Sequence, residues 1–326
     1  MPLTLEDRLR LCRQYGDFTL AYSTAVQEGL EHFGDHEGYL AYGRKWGYTF
    51  ALGDPIAAKD KWPSLVSEFL KAHRKCVFVQ ASEKLGALLE GEGFYVNEMG
   101  VDTSLDLTEY YFDGKQKEWL RYAANWIESH DYRIAELSFD EISREQVEEV
   151  SAQWKEGKTV KKREVGFLNR PVVYADEPDV RKFYLIDASG RIEAFLFFDP
   201  LYRNGEIVGY CTCIKRRRPN APTYAEAAIM KHAIEKFQIE GRKTLTLGLS
   251  PLAGVENKRF QHNPFLHWSF RAGLHARWIN RWIYPLANHA KYKQRFRGSE
   301  EPTHYASQVL FNDSRIIAML RLSGVF

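Results

Sequence analysis

The stretch from residue 183 to residue 249 constrains the fold of this chain most. Residues 183–187 and 192–198 are β-rich runs split by the turn Ala188-Ser189-Gly190, and Asn204-Gly205 turns the chain into a third run, 206–215. Three strands so close together form an antiparallel meander. Pro219 and Pro222 then break the chain, and over 224–239 the apolar residues Ala228, Ile229, Ala233, Ile234 and Phe237 recur at helical spacing. Gly241 stops that helix, and 244–249 reads as a short buried strand running into Ser250-Pro251. The order is strand, strand, strand, helix, strand.

The first part of the chain repeats this order without repeating its residues. Residues 39–42 and 48–52 read as paired strands and Gly53-Asp54-Pro55 as a breaker. Residues 64–72 read as a helix, 76–80 as a strand and 82–89 as a second helix. A structural duplication follows, with the first half over 1–112 and the second over 136–326. Between them 113–135 is a basic connecting helix, with Trp119, Ala123, Trp126 and Ile127 on one face and Lys115, Lys117 and Arg121 elsewhere. A meander, a helix and a strand parallel to the last meander strand, splayed so that a ligand enters between them, is the arrangement of GNAT acyltransferases. The expected class is therefore α/β (α+β), as two tandem GNAT-like folds. Fold alone does not fix function.

Composition narrows the setting. The net charge is only +2, from 45 Lys and Arg against 43 Asp and Glu, so an anionic partner must be met by local patches. Four cysteines, Cys12, Cys76, Cys211 and Cys213, are too few for a disulfide scaffold and lack zinc spacing, which fits a reducing compartment. No window approaches the roughly 18 consecutive apolar residues of a spanning helix. The expected location is cytoplasmic, peripheral on the inner face of a membrane. Histidines 262, 267, 275 and 289 lack ligand spacing, so no metal is expected, and G-x-S-x-G is missing.

Lys215-Arg216-Arg217-Arg218 ends the third strand beside the Pro-bounded loop, where anionic ligands bind in open α/β layouts. Guanidinium forks add bidentate contacts to phosphate or carboxylate, although a bare charge run fits a solvated loop equally well. The loop Arg218-Pro219-Asn220-Ala221-Pro222-Thr223-Tyr224 has no glycine, whereas CoA-binding GNAT loops use glycines to bring the backbone against the pyrophosphate. CoA is disfavoured as the cofactor.

These stretches carry a family resemblance. Arg216 to Pro222, then Leu247-Gly248-Leu249-Ser250-Pro251-Leu252-Ala253-Gly254-Val255, then Tyr284 and Tyr292-Lys293-Gln294-Arg295-Phe296 follow in order. They resemble the C-terminal catalytic domain of bacterial phosphatidylglycerol lysyltransferases, the aminoacyl-phosphatidylglycerol synthases (DUF2156). That family shows D-L-M-R before a P-x-A-P loop, then L-G-M-A-P-L-S-G, Y-N-F and F-K-x-K-F. Gly53-Asp54-Pro55 and the basic stretch Gly114 to Arg121 are also similar to it. The resemblance covers nearly the whole chain. It implies transfer of an aminoacyl group from aminoacyl-tRNA, as co-substrate, onto the hydroxyl of an anionic lipid or another small acceptor, with no other cofactor.

Residue by residue, the resemblance puts Arg216, Lys293 and Arg295 together as a group that holds phosphate and offsets oxyanion charge. Glu226, near a helix start, is the candidate base. Lys215, Arg217, Ser250, Tyr284 and Cys213 are candidate substrate contacts. Cys213 stands where the family has aspartate, and Pro285-Leu286 replaces N-F. Cys213 reads either as a nucleophile beside Arg216 or as a core-facing thiol. The expected tRNA surface is Lys115, Lys117, Arg121, Lys161, Lys162 and Arg163, which a solvated helix face also explains.

Residues 264–284 carry Trp268, Trp278 and Trp282 interspersed with Arg271, Arg277 and Arg281. The mixture suits a helix lying in a membrane interface, and a core-packed helix is the alternative. Two other functions stay open: an N-acyltransferase using CoA or a carrier, and a non-catalytic GNAT-like module that binds an anion or lipid.

Overall fold

The structure is a computed structural model, and it describes residues 3–157, 164–276 and 286–325. Among the described residues its frame is one sheet of twelve strands. These are β1 Glu31–Asp35, β2 Gly38–Lys45, β3 Tyr48–Leu52, β4 Ile56–Ala57, β5 Cys76–Ala81, β6 Tyr95–Asp106, β7 Arg133–Glu136, β8 Arg181–Ile186, β9 Ile192–Arg203, β10 Glu206–Arg217, β11 Thr244–Pro251 and β12 Ser299–Ser307. The spatial order is β1-β2-β3-β5-β12-β6-β11-β10-β9-β8-β7, with β4 pairing β2. The helices are α1 Leu5–Tyr15, α2 Ala21–Val26, α3 Trp62–Ala72, α4 Glu83–Gly91, α5 Glu118–Ser129, α6 Arg144–Glu156, α7 Ala225–Ile239, α8 Pro264–His275, α9 Leu286–Gln294 and α10 Asp313–Leu322.

The meander predicted over 183–215 is β8, β9 and β10, joined antiparallel. Its tight turn works because Asn204 and Gly205 both take positive φ, 52° and 85°, matching the twist of the flanking strands. The helix and strand that follow are α7 and β11, and β11 runs parallel to β10. In the first half β3 and β5 make the corresponding parallel pair around α3.

The halves meet where β6 pairs β11 antiparallel. The late strand β12 lies between β5 and β6, so the chain's C-terminal part completes the first half's share of the sheet. Gly114 and the short turn Lys115–Lys117 lead into α5, which packs beside α7 through Leu120, Ala123 and Ile127.

The sheet is covered on both faces. Against the second half, α5 and α7 close one core around Phe183, Phe198 and Phe237, while α6 closes the other around Tyr184, Phe195 and Phe197. Ser143 caps α6 by accepting from the Gln146 N–H at 3.3 Å. In the first half α8 and α10 pack over Phe50, Val77 and Tyr305 through Leu266, Phe270, Ala318 and Met319.

Candidate functional site

Strand β11 parts from both of its neighbours at one place. It pairs β10 only from Thr244 to Thr246, and its register with β6 shifts between Thr246 and Leu249. The residues in between are Leu247 and Gly248, and Gly248 sits at φ +75°, a conformation that glycine takes without strain. A Cβ built there would stand 3.8 Å from Lys293 Nζ and 4.0 Å from the Thr212 carbonyl oxygen, so the parted strands face both groups.

Lys293 projects from α9 into this opening and is 6% exposed. Its Nζ donates to the Gly248 and Leu249 carbonyl oxygens, each at 2.7 Å. Burial, reinforced by the nearby Lys215 charge, brings its pKa down to about 7, against a partial offset from Asp102. Asp102, opposite Leu249 on β6, moves the other way because burial penalises its charge, with Thr19 and Lys293 opposing. Asp102 Oδ1, Thr212 Oγ1 and the Tyr292 hydroxyl are buried without a protein hydrogen-bond partner among the described residues. A lysine close to neutrality and three polar atoms with spare hydrogen-bonding capacity can bind a polar substrate and move its proton.

Beside the opening lies a cleft of about 430 Å³ whose lining includes Trp154, Lys215, Arg217, Arg218, Glu226 and Tyr292. A bulge in β10 decides which basic residues reach it. The β9 register shifts between Thr212 and Ile214, leaving Cys213 as the extra residue. Beyond it Lys215 stands 4.8 Å over the Tyr292 ring, and Arg217 lies 3.9 Å from Glu226. Arg216 turns to the α6 side, and Arg218 lines the cleft's edge while its guanidinium is engaged toward α6. There Arg218 donates to Glu149 at 2.8 Å and to the Ile192 carbonyl at 2.8 Å.

Arg216 is 5% exposed, donates to Glu164 Oε2 at 2.6 Å and stacks 3.8 Å over Trp154. Burial raises the Glu164 carboxyl, but Arg216 and Lys155 more than offset it and hold it below the usual range. Arg295 is exposed and stacks 3.9 Å over Trp119. Arg216, Lys293 and Arg295, expected together, therefore occupy three separate environments. Only Lys293 enters the opening.

Other expectations change as well. Lys117 is buried, and its ammonium donates to the Tyr110 hydroxyl at 2.6 Å and to the Phe296 carbonyl, so it is no part of an RNA-facing surface. Burial lowers it to about 8. Arg121 is likewise occupied by the carbonyls of Phe112 and Gly114, leaving Lys115 exposed. Ser250 is buried in β11 opposite Val101 and lines neither main cavity.

Cys213 is poorly suited to form a thiolate. Burial and the neighbouring Asp199 push it well up, and it donates to the Phe197 carbonyl at 3.2 Å, which removes the nucleophile reading. Tyr284, Lys161, Lys162, Arg163, Trp278, Trp282, Arg277 and Arg281 lie outside the described residues.

Sequence reasoning missed Asp102, Thr212 and Trp154, and it missed a buried ion-pair group behind the bulge. Arg170 is 2% exposed and forks onto Asp199 at 2.6 to 3.0 Å and onto Glu177 at 2.7 and 3.2 Å, with its Nη2 3.8 Å from Cys213 Sγ. The arginine thus braces the bulge from behind. The only available signal was an arginine in a Pro-containing loop.

An antiparallel meander, a helix and a strand parallel to the last meander strand recur in two consecutive halves, with the sheet parted between β10 and β11, which makes this a tandem GNAT-like fold of mixed α/β class. Residues 9–307 match the family described as phosphatidylglycerol lysyltransferase, C-terminal, and the chain belongs to that family. It is 27% identical over 227 residues to a phosphatidylglycerol lysyltransferase of Bacillus subtilis, covering 68% of this chain and 26% of the relative. With that of Staphylococcus haemolyticus it shares 23% over 313 residues, 92% of this chain and 36% of the relative. The chain thus spans about a quarter to a third of these relatives. L-PGS from Bacillus licheniformis superposes with a TM-score of 0.79 at 19% identity, covering 98% of this chain and 96% of that one. A DUF2156 domain from Agrobacterium fabrum gives 0.78 at 18%, covering 99% and 98%.

Proposed function

We propose that this chain transfers an aminoacyl group from aminoacyl-tRNA to a hydroxyl of an anionic phospholipid, with the chemistry at the opening between β10 and β11. The observation that carries this reading is Lys293, buried at the one place where β11 leaves both neighbours and tied there to two backbone carbonyls. Membership of a family described by phosphatidylglycerol lysyltransferase supports the choice of acceptor.

An aminoacyl ester is already activated, so the protein has to align the acceptor and handle one proton. The neutral Lys293 amine takes the proton of the acceptor hydroxyl as its oxygen bonds to the ester carbonyl carbon. The carbonyl's bond to the tRNA ribose oxygen then breaks, and the proton passes to that oxygen. A pKa near pH 7 suits both transfers. Lys215 and Arg217 flank the cleft and hold the lipid phosphate, with Glu226 orienting Arg217. Arg216 is a positioning residue that fixes Trp154 in the cleft's lining. The exposed Lys115, Arg295 and Arg297 meet RNA phosphates. The protein works as a peripheral partner of the membrane that holds its acceptor, and among the described residues no helix is long and apolar enough to cross one.

The test is incubation of the purified chain with radiolabelled aminoacyl-tRNAs and phosphatidylglycerol vesicles. RNase-sensitive label in the lipid fraction is expected. Label that moves from acyl-CoA instead, or no transfer from any charged tRNA, contradicts the reading.

A further inference from the structure

Two helices that cover the first half's part of the sheet, α8 and α10, turn aromatic side chains outward. On α8, Leu266, Phe270 and Gly273 are buried against the sheet, while Phe265 is 57% and Trp268 68% exposed. In the loop before α10, Leu310 is 40% and Phe311 72% exposed, and Ile317 on α10 is 45% exposed. The Phe265 and Phe311 rings stand 5.5 Å apart. This pair is held in place by Asn263, which is fully buried. Its Nδ2 donates to the Leu310 carbonyl at 2.6 Å and the Val309 carbonyl at 3.2 Å, while its Oδ1 accepts from the N–H groups of Phe265 and Leu266. One buried side chain therefore fixes two exposed aromatic residues from distant parts of the chain side by side.

Charge on these helices is one-sided. α8 carries Arg271 and no acidic residue, and α10 carries Arg315 and Arg321 against Asp313 alone. Arg271 and Arg321 are exposed, and each stands over an exposed tryptophan, Trp268 at 6.0 Å and Trp46 at 5.4 Å. Rigid aromatic rings that shed water on insertion, rimmed by arginines that meet phosphate, are the chemistry of an anionic bilayer interface. The same helix walls a cavity of about 460 Å³, where Arg271, Leu274 and His275 meet Leu252 and Val255 just beyond β11, together with the ion pair of Glu256 and Lys258.

We propose that the outer faces of α8 and α10, centred on Phe265, Trp268 and Phe311, dock this protein on the surface of a bilayer containing anionic phospholipid. The proposal rests on the lipid-acceptor reading and adds the face by which the acceptor's membrane is met.

The experiment is sedimentation of the full chain with phosphatidylglycerol-containing vesicles and with phosphatidylcholine vesicles, for wild type, Trp268→Ser/Phe311→Ser and Arg271→Glu/Arg321→Glu. These side chains are exposed, and circular dichroism checks that each variant is folded. Wild type is expected to sediment with the anionic vesicles, and each double variant to bind at least about tenfold more weakly. Undiminished binding by the folded aromatic variant overturns the proposal. So does a wild-type dimer that Trp268→Ser/Phe311→Ser converts to monomer, since the face then belongs to a second copy. Transfer to water-soluble dihexanoyl phosphatidylglycerol, measured in parallel, is expected to be unchanged in both variants. Absence of that transfer in wild type counts against the enzymatic reading, while vesicle binding separately decides the docking face.

Discussion

Lys293 Nζ lies 2.7 Å from the carbonyl oxygen of Gly248, the residue at which β11 has left both β10 and β6. A buried amine that spends two hydrogen bonds on backbone carbonyls is fixed in direction, which is what a proton-transferring group needs. The same contact ties α9 to the parted strands, so chemistry and architecture share one residue.

Stability should record the cost of burying that amine. Its folded pKa of about 7 lies below that of a free lysine, so between the two values the unfolded chain binds the extra proton. The contribution of Lys293 to unfolding free energy therefore rises with pH across that window and is flat below it. Urea titrations of wild type and Lys293→Met should diverge with this sign between about pH 7 and about pH 10.

Arg170 and Asp199 form a buried, bidentate pair behind the Cys213 bulge. Asp199→Asn leaves the buried guanidinium with Glu177 as its remaining carboxylate and should lower stability by about 1–3 kcal/mol, read from the urea midpoint. Cys213→Ser, by contrast, should keep transfer within about threefold, because a protonated, core-facing thiol does no covalent chemistry. Iodoacetamide should leave Cys213 unlabelled in the folded chain.

RNA binding should separate two lysines that are two positions apart. Lys115→Glu should weaken tRNA binding and reduce the slope of log affinity against log salt by about 1. Lys117→Met should leave that slope unchanged, since the Lys117 ammonium is already donated to Tyr110 and Phe296. Filter binding across a salt series reads both.

Much of the second half was legible because its signals are local. Alternating strands, an Asn-Gly turn, a Pro-bounded loop and a helix-period run lie within 183–249, and each element is there. Strand β12 was not legible. Its sequence, Ser299–Ser307, is polar and short of β-branched residues, and its place is set by partners about two hundred positions away on β5 and β6. In the site, helix arithmetic counted Lys117 as surface charge, whereas the tight turn 115–117 brings it inside. The Arg216 placement failed for a similar reason. A one-residue bulge at Cys213 decides which faces the following basic residues take, and nothing in Cys213 itself announces a bulge. Lys293 was found by resemblance, but its burial and carbonyl partners come only from the three-dimensional contact with β11.

The central claim is that Lys293 moves the acceptor's proton, and the pH dependence of transfer tests it most directly. Rates of transfer from aminoacyl-tRNA to dihexanoyl phosphatidylglycerol would be measured from about pH 5.5 to about pH 9 for wild type and Lys293→Met. A base must be neutral, so the wild-type rate should fall as pH drops through about 7, and Lys293→Met should be slower by about 10²–10⁴ and lack that limb. A Lys293→Met protein that is folded and retains both the wild-type rate and its acid limb would contradict the account.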